Sequence, residues 1–373
     1  MNLRKLPTRE FDPLMLLAAM GLVGYGALLI YSGSLNNYGS PGQAFSHPVS
    51  RQIAFAIVGL GAMVVGSRFD YRILAPLSLS MYIVSLAMLV YVLVAGESEY
   101  GATRWITIAG TQVQPSEIAK VTTVILLAKI LADSESRIQS PQIFAISLLI
   151  AAVPAGLVLV EPDLGSSLVF GVLWLGMVII AGCRPVYILG SIAAAAALGP
   201  VALWQFAHGY QLERLSIWRN PEKDPTGAGF NILQAEISIG SGGLLGKGFT
   251  QGSQTQLDYL RTQTTDYIFS VGAEELGFVG AMALFGLFIL LLFRCVRVAG
   301  LADDVFGRLI AVGVAVFILF QVFVNIGVNT RLLPVTGVPL PLVSQGGSSL
   351  ITILAALGIL QSILGHRRKR GRT

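Results

Sequence analysis

The chain runs to 373 residues, of which 54% are apolar and only 12% charged, with a net charge of +5. A mean hydropathy of +0.72 excludes two or three soluble domains of ~150 residues each and places most of the chain in lipid. Two cysteines and three scattered histidines (His47, His208 and His366) exclude a disulfide framework and a histidine-rich metal centre.

In hydrocarbon a backbone satisfies its polar groups only within helices or closed barrels, and a helix needs about 20 apolar residues to cross. The sequence predicts ten such spans, at 14–32, 51–67, 73–95, 114–132, 142–160, 164–182, 185–205, 266–293, 307–328 and 347–365. The expected fold class is an all-α integral membrane protein, one polytopic bundle over residues 1–373. The basic start, MNLRKLPTREFDP, precedes an apolar stretch too long for a signal-peptide core, so it reads as an uncleaved first helix. Placing it in the cytoplasm puts Arg4, Lys5, Arg9, Arg68, Arg72, Lys129, Arg137, Arg184, Arg294, Arg297, Arg308 and the tail HRRKRGRT on the same side, as the positive-inside rule requires. Cys183 and Cys295 fall on that side too. The basic tail reads as topology and contact with anionic membrane lipids, not as a nucleic-acid surface.

The polar residues left over collect on the outer side, in segments 96–120, 161–167, 206–275 and 325–349. The first carries RWITIAGTQVQPSEIAK. Pro115 suits a first helical turn, and Glu117 and Lys120 follow three apart on one helix face. Charges within a membrane mark function by default, although a local ion pair would also carry two charges into lipid. Arg104 joins this group by position. The second segment, EPDLGSS, places Asp163 both as a cap for the next helix and as a candidate site acid. The third is the long outer loop, about 206–265. Its stretch AGFNILQAEISIGSGGLLGKG predicts a short amphipathic helix at 230–239 and then a glycine-rich turn. The spacing GxxxxGK[ST] is absent, so this is not a phosphate-binding P-loop.

Next comes TTDYIFSVGAEELGFVG, with Asp266 at the start of the eighth span. Continuous helical spacing sets Glu274 roughly 12 Å along the axis from Asp266 and turns Glu275 about 180° away. Neither then forms the close carboxylate pair, ~5–9.5 Å apart, that glycosidases use. Asp266 acts alone or with a partner from another segment. The last motif, NTRLLPVTGVPLPLVSQGGSS, has three prolines that preclude a regular helix over most of it. Irregular backbone at membrane depth must be covered by protein or line a water-filled cavity.

These five motifs, QPSEIAK, EPDLGSS, GGLLGKG, TDYIF with AEELGFVG, and VTGVPLPLVSQGGSS, resemble in order and spacing the SEDS family of bacterial cell-wall polymerases. The match runs from the first span to the last, and GSQTQLDYL ahead of the aspartate looks like the rod-shape (elongation) branch rather than the division branch. The resemblance implies a peptidoglycan glycosyltransferase that polymerises lipid II into glycan strands on the outer face of the cytoplasmic membrane. It implies a class B penicillin-binding protein and the elongation machinery as partners. Asp266 matches the family's essential aspartate and would be the general base. Glu117, Lys120 and Asp163 match the charged positions of the other motifs. Arg104, Arg214, Lys247 and Lys120 are candidate cations for the departing pyrophosphate. Gln345 and Ser348 lie where the family has SYGGSS, with Gln345 in place of the aromatic residue. Leu260-Arg261-Thr262 replaces the usual LPE, and Tyr267 stands for Phe. No tightly bound cofactor is implied; a divalent cation, Mg or Mn, is an optional helper with no ligands assigned. The competing expectations are a lipid II flippase, since broken helices and intramembrane charges also suit transporters, and a division-type polymerase.

Overall fold

The computed structural model describes residues 11–38, 47–99, 102–108, 111–206 and 209–367. Arg4, Lys5, Arg9, His208 and the basic tail beyond Arg367 lie outside them. Helices dominate: α1 (Pro13–Tyr38), α2 (Pro48–Arg68), α3 (Leu74–Ala95), α4 (Pro115–Asp133), α5 (Pro141–Val160), α6 (Leu164–Ala181) and α7 (Pro185–Phe206). In the long loop follow α8 (Gly209–Arg219), α9 (Ala228–Ser241) and α10 (Ser253–Gln256), and then α11 (Ile268–Leu301), α12 (Val305–Asn329) and α13 (Gly347–Gly365). One apolar core draws on α1 to α6 and α11 to α13.

Every predicted span is a helix, but eight of them are long and apolar enough to cross a membrane by length and composition. The other two are α4 and α7. Helix α4 carries Glu117 and Lys120, and it is buried along most of its length. It packs against α3, α5, α6, α12 and α13. It is the central post of the bundle, which explains its weaker hydropathy. Helix α7 has an apolar part at Pro185–Ala197 and rests on α6.

The connecting segments hold one feature that an all-α expectation lacks. A small antiparallel sheet, β1 (Glu97–Glu99), β2 (Ala102–Ile108) and β3 (Thr111–Val113), precedes α4. Trp105 faces Glu97 across it, and Ile106 faces Val113. The long loop is mostly helical, and its predicted helix at 230–239 is α9, two residues longer at each end. Residues 330–346 contain no regular helix, in keeping with their three prolines.

The eighth span differs from its predicted form. It starts at Ile268 rather than Asp266, and it is broken at Gly277, whose φ of 65° and ψ of −162° are not helical. The break frees the carbonyls of Glu274 and Glu275 and the N–H groups of Phe278 and Val279. The glycine-rich turn supplies all four partners. Lys247 N and Gly248 N donate to the two carbonyls at 3.0 and 3.1 Å, and the carbonyls of Gly243 and Leu244 accept from Phe278 and Val279 at 2.9 and 3.1 Å. The two backbones lie so close that a Cβ on Gly246 would stand 2.1 Å from the Glu275 carbonyl oxygen.

At the opposite end of the bundle, Asp12 caps α1 and joins it to α11 and α13. Its carboxylate accepts from Arg294 Nε at 2.7 Å, and its main chain exchanges two 2.9 Å hydrogen bonds with Gln361. Asp304 clamps the same end by accepting from Arg72 Nε at 3.1 Å and from the Tyr71 hydroxyl.

The break at Gly277 should be intolerant of any side chain. Gly277→Ala forces an L-residue into a conformation costing about 1–3 kcal/mol, with its Cβ 2.2 Å from Gly246 N. The expected result is a lowered Tm in detergent. Gly286→Ala, in the same helix but facing open space, should leave Tm unchanged or raise it, since Ala is the better helix former by about 1 kcal/mol.

Candidate active site

Asp266 sits in the irregular turn just ahead of α11, and its main chain is what holds it. The Asp266 carbonyl accepts from Asn325 Nδ2 at 3.1 Å and from Asn329 Nδ2 at 2.8 Å, both on α12. Asn329 also accepts from Ser270 N and Oγ at 3.1 and 2.7 Å, which fixes the first turn of α11. On the other side, Ser344 Oγ donates to the Thr265 carbonyl at 2.6 Å, and Gln345 N donates to the Thr264 carbonyl at 2.9 Å. Gln52 of α2 holds that second segment, donating to the Ser344 carbonyl and accepting from Gly346 N. Among the described residues, the Asp266 carboxylate itself engages no hydrogen bond or ion pair, and the side chain is half-buried. Burial pushes its carboxyl up to about 6, against the pull of Arg214 and Arg104 and with a further push from Asp163.

Three segments bring those charges together. Arg104 of β2 donates through Nε to the Glu161 carbonyl at 3.2 Å, through Nη2 to the Pro162 carbonyl, and stands 3.9 Å from Asp163 Oδ2. Asp163 caps α6 as expected and also faces Arg104. Its Oδ1 caps α6 by accepting from Ser166 N at 3.0 Å, while Oδ2 accepts from Ser166 Oγ and faces Arg104. Arg214 of α8 donates to the Val335 carbonyl at 3.2 Å. The stretch around Val335–Val338 runs between these groups. It passes so close to Gly165 that a Cβ there would stand 2.8 Å from the Thr336 carbonyl oxygen.

The remaining predicted residues lie elsewhere. Glu117 and Lys120 form an ion pair of 2.7 Å on α4, each 1% exposed, and they are not among the charges acting on Asp266. Ser348, at the head of α13, accepts from Gln114 N at 3.0 Å and donates to the Gln112 carbonyl at 3.2 Å, joining the sheet to α13 above that pair. Lys247 is bound to Glu274 Oε1 at 2.8 Å and to Ser253 Oγ at 2.7 Å. It belongs to the helix break rather than to the Asp266 group. Glu274 also accepts from Gln254 N, Thr255 N and Thr255 Oγ1, and Glu275 accepts from Ser32 Oγ of α1. Because α11 begins after Asp266, the helical offset predicted between the three acids does not apply. The two glutamates are engaged away from Asp266, Glu274 by the 247–255 segment and Glu275 by Ser32 of α1.

Sequence reasoning missed Gln52, Asn325 and Asn329. The signal was present for the last two, a pair of amides four apart in an otherwise apolar span, which places both on one helix face. An apolar cavity of about 180 Å³ opens beside Ser348, lined by Phe55, Val113, Ile118 and Ile351 among others.

The molecule is a polytopic helical membrane protein with one unpaired carboxylate set beside two arginines at the end of its bundle. It belongs to the cell cycle protein family of FtsW, RodA and SpoVE, whose model matches residues 13–369. It is 39% identical to the peptidoglycan glycosyltransferase MrdB of Escherichia coli strain K12, over 96% of this chain and 95% of that one. A probable peptidoglycan glycosyltransferase FtsW of Trichlorobacter lovleyi is 36% identical over 95% and 93%. Among solved structures, a chain of a peptidoglycan synthase complex that coordinates polymerization and crosslinking superposes with a TM-score of 0.80, at 33% identity and covering 95% and 97%. The rod shape determining protein RodA of Thermus thermophilus gives 0.70 at 29% identity, covering 96% and 98%.

The buried pair on α4 predicts strong coupling. Lys120→Met alone strands the Glu117 carboxylate and should cost about 3–5 kcal/mol, whereas Glu117→Gln with Lys120→Met should recover much of that loss. A thermal double-mutant cycle measures it. Equal losses in the single and double variants would mean that the two charges answer to other groups.

Proposed function

We propose that this chain is a peptidoglycan glycosyltransferase of the elongation type, polymerising lipid II with Asp266 as its general base. The observation that carries the reading is an unpaired carboxylate, fixed through its own main chain and flanked by Arg104 and Arg214. In the reaction, the acceptor sugar hydroxyl gives its proton to Asp266 as its oxygen attacks the anomeric carbon of the donor. The bond from that carbon to the lipid pyrophosphate breaks, its electron pair leaves with the phosphate oxygen, and the configuration inverts. A pyrophosphate leaving group needs little protonation, so one acid suffices. Arg104 and Arg214 face the charge that develops on it, the kind of fixed electrostatic stabilisation that lowers such barriers. A carboxyl near pH 6 is suited to a base working close to neutrality, a role worth typically about 10²–10⁴-fold.

Among the described residues no three His, Cys, Asp or Glu side chains converge into a ready-made metal cage. A magnesium or manganese ion would be carried by the pyrophosphate with one or two carboxylates. The apolar cavity beside Ser348 is the proposed berth for part of the polyprenyl tail. Positive residues at the Arg72 and Arg294 end support cytoplasmic termini and an extracytoplasmic site in the bacterial cytoplasmic membrane. The likeness to a chain of a synthase complex supports a class B penicillin-binding protein as partner.

Purified protein with its partner, supplied with lipid II in liposomes, tests the assignment. Asp266→Asn should lose about 10²–10⁴-fold in polymer formed while keeping its Tm. Wild-type kcat/KM should fall as pH drops through about 6, because the carboxyl protonates there. Normal polymer from Asp266→Asn removes Asp266 as the base, and outward transfer of fluorescent lipid II without polymer favours a flippase.

A further inference from the structure

Glu161 is the acid that the mechanism above leaves unused. It sits in the turn between α5 and α6, 1% exposed, and its Oε1 has no hydrogen-bond partner. The nearest nitrogen donors are turned elsewhere, and the buried Thr336 hydroxyl, itself without a partner, does not reach it. Arg104 spends Nε and Nη2 on the carbonyls of Glu161 and Pro162 and leans its remaining nitrogen on Asp163. Ser166 N and Oγ belong to Asp163, and Gln114 Nε2 points to the same carboxylate at 3.5 Å. An ionised carboxylate buried with an empty oxygen is costly, whereas a protonated one brings its own donor. The charged groups that act on Glu161 are Asp163 on its own turn and Arg104 from β2. The neighbouring Gln114 and Thr336–Val338 bring no titratable side chain.

We infer that Glu161 is a positioning residue that works as a neutral carboxylic acid, keeping the turn at a single negative charge so that Arg104, fastened across it, still offers positive charge to Asp266 and the pyrophosphate. Burial first, and then Asp163, push its carboxyl up to about 8, with Arg104 pulling the other way. Above that pH a second carboxylate appears beside Asp163 and competes for the guanidinium. More of the Arg104 charge is then neutralised within the turn, and less of it reaches the site. This inference rests on the proposed polymerase reading, and it gives that enzyme an alkaline limit set by one side chain.

The experiment compares lipid II polymerisation by the wild type, Glu161→Gln and Glu161→Ala from pH 5.5 to 9.5, on folded protein matched by Tm. Gln copies the neutral acid's shape and its donor. Glu161→Gln should stay within about twofold of the wild type at pH 7, where the wild-type acid is protonated. It should hold that rate to pH 9.5, while the wild type falls about tenfold per pH unit beyond 8. Glu161→Ala should be slower at every pH. Infrared titration gives a readout independent of turnover: a protonated carboxyl band that disappears near pH 8 in the wild type and is missing in Glu161→Gln. An alkaline limb unchanged in Glu161→Gln, or a carboxyl band that titrates in the ordinary acidic range, overturns the inference. Neither result bears on Asp266, whose role stands or falls with Asp266→Asn.

Discussion

A helix broken inside lipid leaves backbone groups with nothing to bond, because no water is there to receive them. The end of this bundle that carries Asp266 is arranged around meeting that demand at Gly277. The run 243–248 lies along the break and takes up both carbonyls and both N–H groups. Once it is there, Lys247 stands beside Glu274, and Glu274 gathers the next turn through Gln254 and Thr255. Gln256 then reaches Ser32 of α1, and Gln263 donates to the Gly33 carbonyl at 2.7 Å. The chain is thus fastened to α1 and α11 along its course before it arrives at Asp266.

Charge follows the same logic of commitment. Glu117 is matched by Lys120, Glu274 by Lys247, Asp12 by Arg294 and Asp163 by Arg104. Each of these carboxylates has a cation within reach and repays its desolvation locally, since a buried charge without a partner costs several kcal/mol. Asp266 departs from the pattern. The α12 amides that would suit a carboxylate are spent on its carbonyl instead, and among the described residues the side chain itself has no hydrogen-bond or ion-pair partner.

Much of this could be read from the sequence, for reasons that differ by element. The apolar runs fixed the helices because length and hydropathy are one-dimensional properties. Pro115, Asp163 and the three prolines near Val338 marked their local structure because caps and prolines act within a few residues. The break at Gly277 was not legible, since it depends on a turn about 30 residues earlier folding back onto it. Nor was the sheet before α4, whose three strands are too short to show a clear alternation. Lys247 looked like a free cation because its partner Glu274 lies 27 residues away. The distinction between Asp266 and its neighbours was reached by helical spacing that the structure does not have. The glutamates are instead tied by bonds to the 247–255 segment and to Ser32 of α1.

Holding an acid by its main chain separates the scaffold from the chemistry. The bonds that position Asp266 end on atoms that every amino acid possesses, so the side chain can change without loosening the turn, the α12 amides or the segment at Ser344. A version lacking the carboxylate therefore keeps the outer surface of the active protein. Were Asp266 the proposed base, such a version would be a silent occupant, able to take the place of the working copy in any assembly that recognises shape and to halt it by presence rather than by absence.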